Sequence, residues 1–177
     1  DLVHADVRLE VTEGKVASAE NGEPKFANDD YACAFGVRVL AGHRMVGAGY
    51  VGRTLGVAEL PRLSEILRDA LGRAHRRAAA SGEAKAEARE KLPGLGASLV
   101  DTRLAPVRVA REVVPAVYRV DPRTLPIEDM VRTVTELGRE VRAVDGRLTF
   151  SHLVAHTELS RELFCSSEGA LIDQTFA

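Results

Sequence analysis

Asn21-Gly22 lies between two runs of alternating polarity, and no other short feature of this chain restricts its fold as strongly. Both residues take a positive φ at little cost, which a two-residue hairpin requires. Upstream, Val7, Leu9 and Val11 alternate with Arg8, Glu10 and Thr12, the period of a half-buried strand. Glu13-Gly14-Lys15 then reads as a turn into Val16 to Glu20. Downstream, Asp29-Asp30 forms a polar turn before the apolar run Tyr31 to Leu40, and Ala41-Gly42-His43-Arg44 folds the chain back into Met45 to Val51. These residues predict a meander of four or five antiparallel strands. Aromatics make up 5% of the chain and Trp is absent, so its core must be built from Val, Leu and Ala.

The period changes after Leu60. Leu60, Leu63, Leu67, Leu71, Ala74 and Ala78 recur three or four apart, with arginines between them and Pro61 near the start. That spacing predicts an amphipathic helix laid across the meander. Residues 79–97 are rich in Ala, charge and Gly, with Ser81-Gly82 and Pro93-Gly94 as breakers, and read as a mobile connection. Val107 to Val120 reads as extended, and Asp121-Pro122 as a turn. A second helix follows Pro126, with Ile127, Met130, Val131, Val134, Leu137, Val141 and Val144 on one face and Asp145-Gly146 at its end. Leu148 to Cys165 reads as strands, Ser167-Glu168-Gly169 as a hairpin turn, and Ala170 to Ala177 as a last strand without a partner, as in a sheet cut short. The fold class is therefore α+β: an antiparallel meander sheet with a packed helix, an extended stretch, a second helix and the start of a further antiparallel sheet. The expected divisions are residues 1–78, 79–97 and 98–177.

Net charge is −2, with no strongly basic half, which argues against a nucleic-acid surface. The densest basic run, Arg73-Ala-His-Arg-Arg77, lies among mixed charges and reads as a solvated helix face. Cys33 and Cys165 are far apart and read as reduced thiols, Cys165 buried or half-buried at a strand end. No apolar run approaches the ~20 residues that cross a bilayer. The chain begins at Asp1 without Met, as a piece of a longer protein would.

Candidate chemistry is sparse. Gly47-Ala-Gly49-Tyr-Val-Gly52 spells G-x-G-x-x-G, a pattern that seats a pyrophosphate when it joins a strand directly to a helix. Here the glycines lie in a hairpin arm and Arg53 to Leu60 intervene before the helix, so a close backbone approach is the better reading and nucleotide binding the rival. His152 and His156 have the i, i+4 spacing of helical zinc ligands, but on a strand they stand roughly 13 Å apart. Adjacent Asp29 and Asp30 point apart, so they are no acid/base dyad. His4, His43 and His75 stand alone. The residues themselves thus supply no catalytic, cofactor-binding or metal-binding site.

Three segments, in this order, resemble one family. They are Ala5-Asp6-Val7-Arg8 with Asn21-Gly22-Glu23, then Gly36-Val37-Arg38-Val39-Leu40-Ala41-Gly42-His43-Arg44 with Gly47-Ala48, and finally Tyr118-Arg-Val-Asp121-Pro122 with Ser167-Glu168-Gly169. The resemblance is to the N-terminal part of the TldD/PmbA family, also called peptidase U62 or "modulator of DNA gyrase". It implies a cytoplasmic protein that forms homodimers or pairs of related subunits, and a zinc metallopeptidase acting on unfolded peptides. The family's H-E-x-x-x-H motif and later Cys belong to a C-terminal half; this chain has no His-Glu pair. The expected role is the non-catalytic half that forms the substrate chamber and subunit contacts, with zinc held beyond Ala177. The alternative is a metal-free assembly subunit of such a pair.

Overall fold

The structure, a computed structural model, describes residues 1–92, 94, 98–99, 101–105 and 108–177. Pro93 and residues 95–97 of the expected connection, and Val107 at the start of the expected extended stretch, lie outside the described residues. Six strands, β1 (Leu2–Glu20), β2 (Glu23–Ala41), β3 (Gly47–Leu55), β4 (Arg111–Val114), β5 (His152–Ser166) and β6 (Leu171–Phe176), join in the order β3-β2-β1-β5-β6-β4. Among the elements whose bounds are described, the helices α1 (Leu63–Lys91) and α2 (Ile127–Val144) accompany the sheet in this α+β fold. The chain divides into two compact units: residues 1–10, 33–114 and 162–173, and residues 11–32, 115–161 and 174–177.

In the first unit β2 and β3 pair antiparallel, with Val37 opposite Val51, Val39 opposite Gly49 and Ala41 opposite Gly47. Val37 and Val39 are fully buried, and α1 packs on this face. The buried residues of α1 are Ala70, Ala74, Ala78, Gly82 and Ala86, a row four residues apart. Leu71, expected inside, is 39% exposed. The reason is distance. A Cβ on Gly49 would stand 2.0 Å from the Ala74 carbonyl oxygen, and one on Gly47 2.3 Å from that of Ala78. Backbones this close leave no room for leucine, so small residues form the contact. α1 also runs through Ser81-Gly82 to Lys91, where a connection was expected. A glycine inside a helix costs about 1 kcal/mol relative to alanine. Here alanine is excluded, because a Cβ on Gly82 would lie 2.1 Å from the Met45 carbonyl oxygen.

The second unit holds the Asn21-Gly22 turn, with φ of 56° and 79°, as the hairpin reading requires. The Asn21 N–H donates to the Ser151 carbonyl, and the Asn21 side-chain oxygen accepts from the Ser151 N–H. Ala17 and Ala19 of β1 form a small core with Met130 and Val134 of α2, flanked by Leu153 and Ala155. Gly138 of α2 approaches Gly22, at 3.1 Å from the Gly22 Cα to a Cβ built on Gly138. Leu137, Val141 and Val144 of the expected apolar face are exposed.

Three readings of the strands change. Glu13-Gly14-Lys15 and Asp29-Asp30 lie within continuous strands rather than turns, so β1 and β2 have 19 residues each and the meander has three strands. The extended stretch shortens to β4, Arg111–Val114. The last strand is not unpartnered, since β6 runs between β5 and β4. Asp121 caps a 3-10 turn at Pro122–Thr124, and α2 ends at Asp145, both where expected.

Candidate functional site

On β1 the first unit buries a hydrogen-bonded polar pair. His4 and Asp6 are two apart on a strand and so share a face, and each is 4% exposed. The neighbouring Val7 and Leu9, on the expected apolar face, are only half-buried. His4 Nε2 lies 2.9 Å from Asp6 Oδ2, and His4 Nδ1 lies 2.8 Å from Glu168 Oε1. Arg38 of β2 donates to the same Asp6 oxygen from Nε at 2.7 Å and Nη2 at 2.6 Å. Glu168 comes from the Ser167-Glu168-Gly169 turn, fixed by the Ser167 N–H donating to the Ala5 carbonyl and the Ala5 N–H to Ser167 Oγ. Gly169 has the positive φ that this turn needs, 96°.

His4 therefore does not stand alone. Ionised carboxylates only accept hydrogen bonds, so the two bonds coexist when both ring nitrogens carry hydrogen. Both ring nitrogens of His4 are engaged in this way. The cluster is a positioning device: it ties the start of β1 to β2 and to the turn after β5. A cavity of about 640 Å³ opens beside it, bounded by His4, Arg38 and Glu168 at its polar end. On the sheet face, Arg8 pairs with Glu162 at 3.5 Å and lies 5.4 Å from the centre of the Phe164 ring.

The residues singled out by sequence pattern do other things. All three glycines of G-x-G-x-x-G are in β3. Gly47 and Gly49 admit α1, and Gly52 lies against the Tyr50 ring and the Phe35 carbonyl. The strand continues to Leu55 and leads into a 3-10 turn at Val57–Arg62, so the glycines do not open a helix. His152 and His156 are exposed on one face of β5. Asp29 and Asp30 are exposed in β2. Cys33 is buried, which raises its thiol pKa, and Cys165 is exposed rather than buried. Arg73, Arg76 and Arg77 lie on the solvated face of α1.

The 3-10 turn before α1 carries the clearest electrostatic signature. Glu59 accepts from both terminal nitrogens of Arg53, at 2.7 and 3.0 Å, and from the Gly56 N–H at 2.9 Å. The Arg53 bonds first, and the Gly56 bond second, push its carboxyl pKa down to about 2. A pKa depressed in the folded state adds stability above the unfolded value, and this is lost as pH falls through the folded one. Glu59→Gln is therefore expected to lower the melting temperature at pH 7, with the gap to the parent closing between pH 4.5 and 2. A pH-independent gap in thermal melts would exclude this linkage.

Among the described residues no three His, Cys, Asp or Glu side chains come together to hold a metal ion. Nor is any helix among them long and apolar enough to cross a membrane.

Comparison with known proteins agrees with this architecture. Residues 5–80 match the family model described as PmbA/TldA metallopeptidase domain 1. Among solved structures, the chain is similar to TldE from Thermococcus kodakarensis, with TM-score 0.61 and 13% identity over 98% of this chain and 34% of that one. It is also similar to a candidate modulator of a DNA gyrase from Thermotoga maritima MSB8, with TM-score 0.58 and 13% identity over 98% of this chain and 33% of that one. The chain thus spans about a third of the length of the solved structures it matches. No curated protein matches it. Residues 5–80 are thus similar to the first domain of the PmbA/TldA metallopeptidase family, and the chain shares the fold of a third of each of these two structures.

Proposed function

We propose that this chain is the non-catalytic N-terminal part of a TldD/PmbA-like zinc metallopeptidase acting on unfolded peptides, and that it walls the substrate chamber and contributes subunit contacts. The match of residues 5–80 to a metallopeptidase domain carries this reading. On it, zinc and every catalytic residue belong to a C-terminal part, the assembly is a homodimer or a pair of related subunits, and the protein works in the cytoplasm.

Sheet edges give the proposal its geometry. Extended peptides add to an edge strand through main-chain hydrogen bonds that are indifferent to side chains, which suits unfolded substrates. At β3, the Tyr50 carbonyl accepts from Arg77 and the Thr54 carbonyl from Arg53, so side chains occupy part of that edge. At the other end of the strand order, β4 exposes all four of its residues. The peptide is assigned to β4. A test uses an unstructured peptide bearing a benzophenone, crosslinked to the whole protein during turnover. Crosslinks at Arg111–Val114 are expected; a cleaved peptide that leaves no crosslink on this chain would refute the chamber role.

A further inference from the structure

We infer that the cavity beside His4 binds a monocarboxylate with an apolar body, and that Arg108 is the residue that meets the carboxylate. At about 640 Å³ the cavity has the size of small-molecule sites. Its apolar wall includes Leu104, Val109 and Phe164. Leu104 and Val109 are 43% and 46% exposed, so aliphatic surface is left uncovered on two residues of the lining.

Charge selects the ligand. Asp6, His4, Arg38 and Glu168 are engaged with one another: His4 bridges the two carboxylates, and Arg38 donates to Asp6. Glu168 is committed to His4 and also accepts from Ser166 Oγ at 3.2 Å. Arg108 adds one positive charge to the lining, and among the described residues no hydrogen bond or ion pair engages it. The unengaged charged group of the lining is therefore a single guanidinium beside apolar surface. A carboxylate matches a guanidinium fork with two parallel bonds and carries one charge. A phosphate dianion would leave negative charge facing Glu168, and an ammonium would meet Arg108.

Two sources share this chemistry: a short fatty acid, and the free C-terminus of a peptide ending in an aliphatic residue. The test is calorimetric titration of the full chain with hexanoate and with N-acetyl-leucine, each against its neutral amide, and repeated with Arg108→Gln. Arg108 is exposed, so the variant should melt like the parent. At least one acid is expected to saturate the site roughly tenfold more tightly than its amide, the yield of one charge-assisted contact. Arg108→Gln should bring that acid to the level of its amide. Preference for hexanoate would assign a fatty carboxylate, and preference for N-acetyl-leucine a peptide terminus. Saturation by neither acid, equal binding of acid and amide, or unchanged binding in Arg108→Gln would overturn the inference.

Discussion

Gly49→Ala is expected to destabilise the chain by about 3 kcal/mol, the upper end for overpacking, because the added methyl meets backbone. Its Cβ would lie 2.0 Å from the Ala74 carbonyl oxygen and 2.7 Å from the Ala78 nitrogen, and neither can rotate away. α1 must then move off β3, opening the contacts over Val37 and Val51. Gly72→Ala on the same helix is the control. A Cβ there meets only the end of the Arg76 side chain, at 3.5 Å. Without a clash, the higher helix propensity of alanine should stabilise by about 0.5–1 kcal/mol. Urea unfolding of both variants measures the contrast. Equal stability of Gly49→Ala and parent would mean that α1 does not lie against β3 in solution.

The second large effect is expected at Asp6. Asp6→Ala removes the carboxylate shared by His4 and Arg38 and leaves His4 buried with an unpaired ring nitrogen. Breaking a buried charged pair on one side costs about 3–5 kcal/mol. The lower figure applies here, because the Arg38 side chain is 44% exposed and water can solvate it. Replacing His4 and Asp6 together by Leu should cost less than the two single changes combined, by about 1 kcal/mol or more, because no buried polar group is then left unpaired, and Arg38 and Glu168, 44% and 50% exposed, can be solvated. Strict additivity in unfolding midpoints would show that the two side chains do not interact.

These two positions also mark where the sequence could be read and where it could not. Asn21-Gly22, the cap at Asp121, the end of α2 at Asp145 and the turn at Ser167–Gly169 were legible, because each is set by the backbone chemistry of a few adjacent residues. The break expected at Glu13-Gly14-Lys15 rests on the same local logic, and pairing along β1 overrides it. The contact face of α1 was hidden for a different reason. Its leucines dominate the periodicity, yet the face is set by glycines in β3. Small residues on either side look unremarkable until they meet.

The candidate site was the least legible part. Its nearest signal, two polar residues two apart at the start of β1, was present in His4 and Asp6. Their burial depends on Arg38 and on Glu168, which is 164 residues from His4 in sequence. The motif that looked most like chemistry, Gly47 to Gly52, is a packing device. The family resemblance placed on the first segments coincides with the domain matched at residues 5–80.

We propose that this chain serves a zinc peptidase without holding its active site. Zinc content and peptide cleavage, measured side by side on the 177-residue chain and on the protein extended to the length of its structural relatives, test it most directly. Stoichiometric zinc and zinc-dependent cleavage are expected in the extended protein and neither in the chain alone. Zinc-dependent cleavage by the chain alone, or an extended protein that binds no zinc, would contradict it.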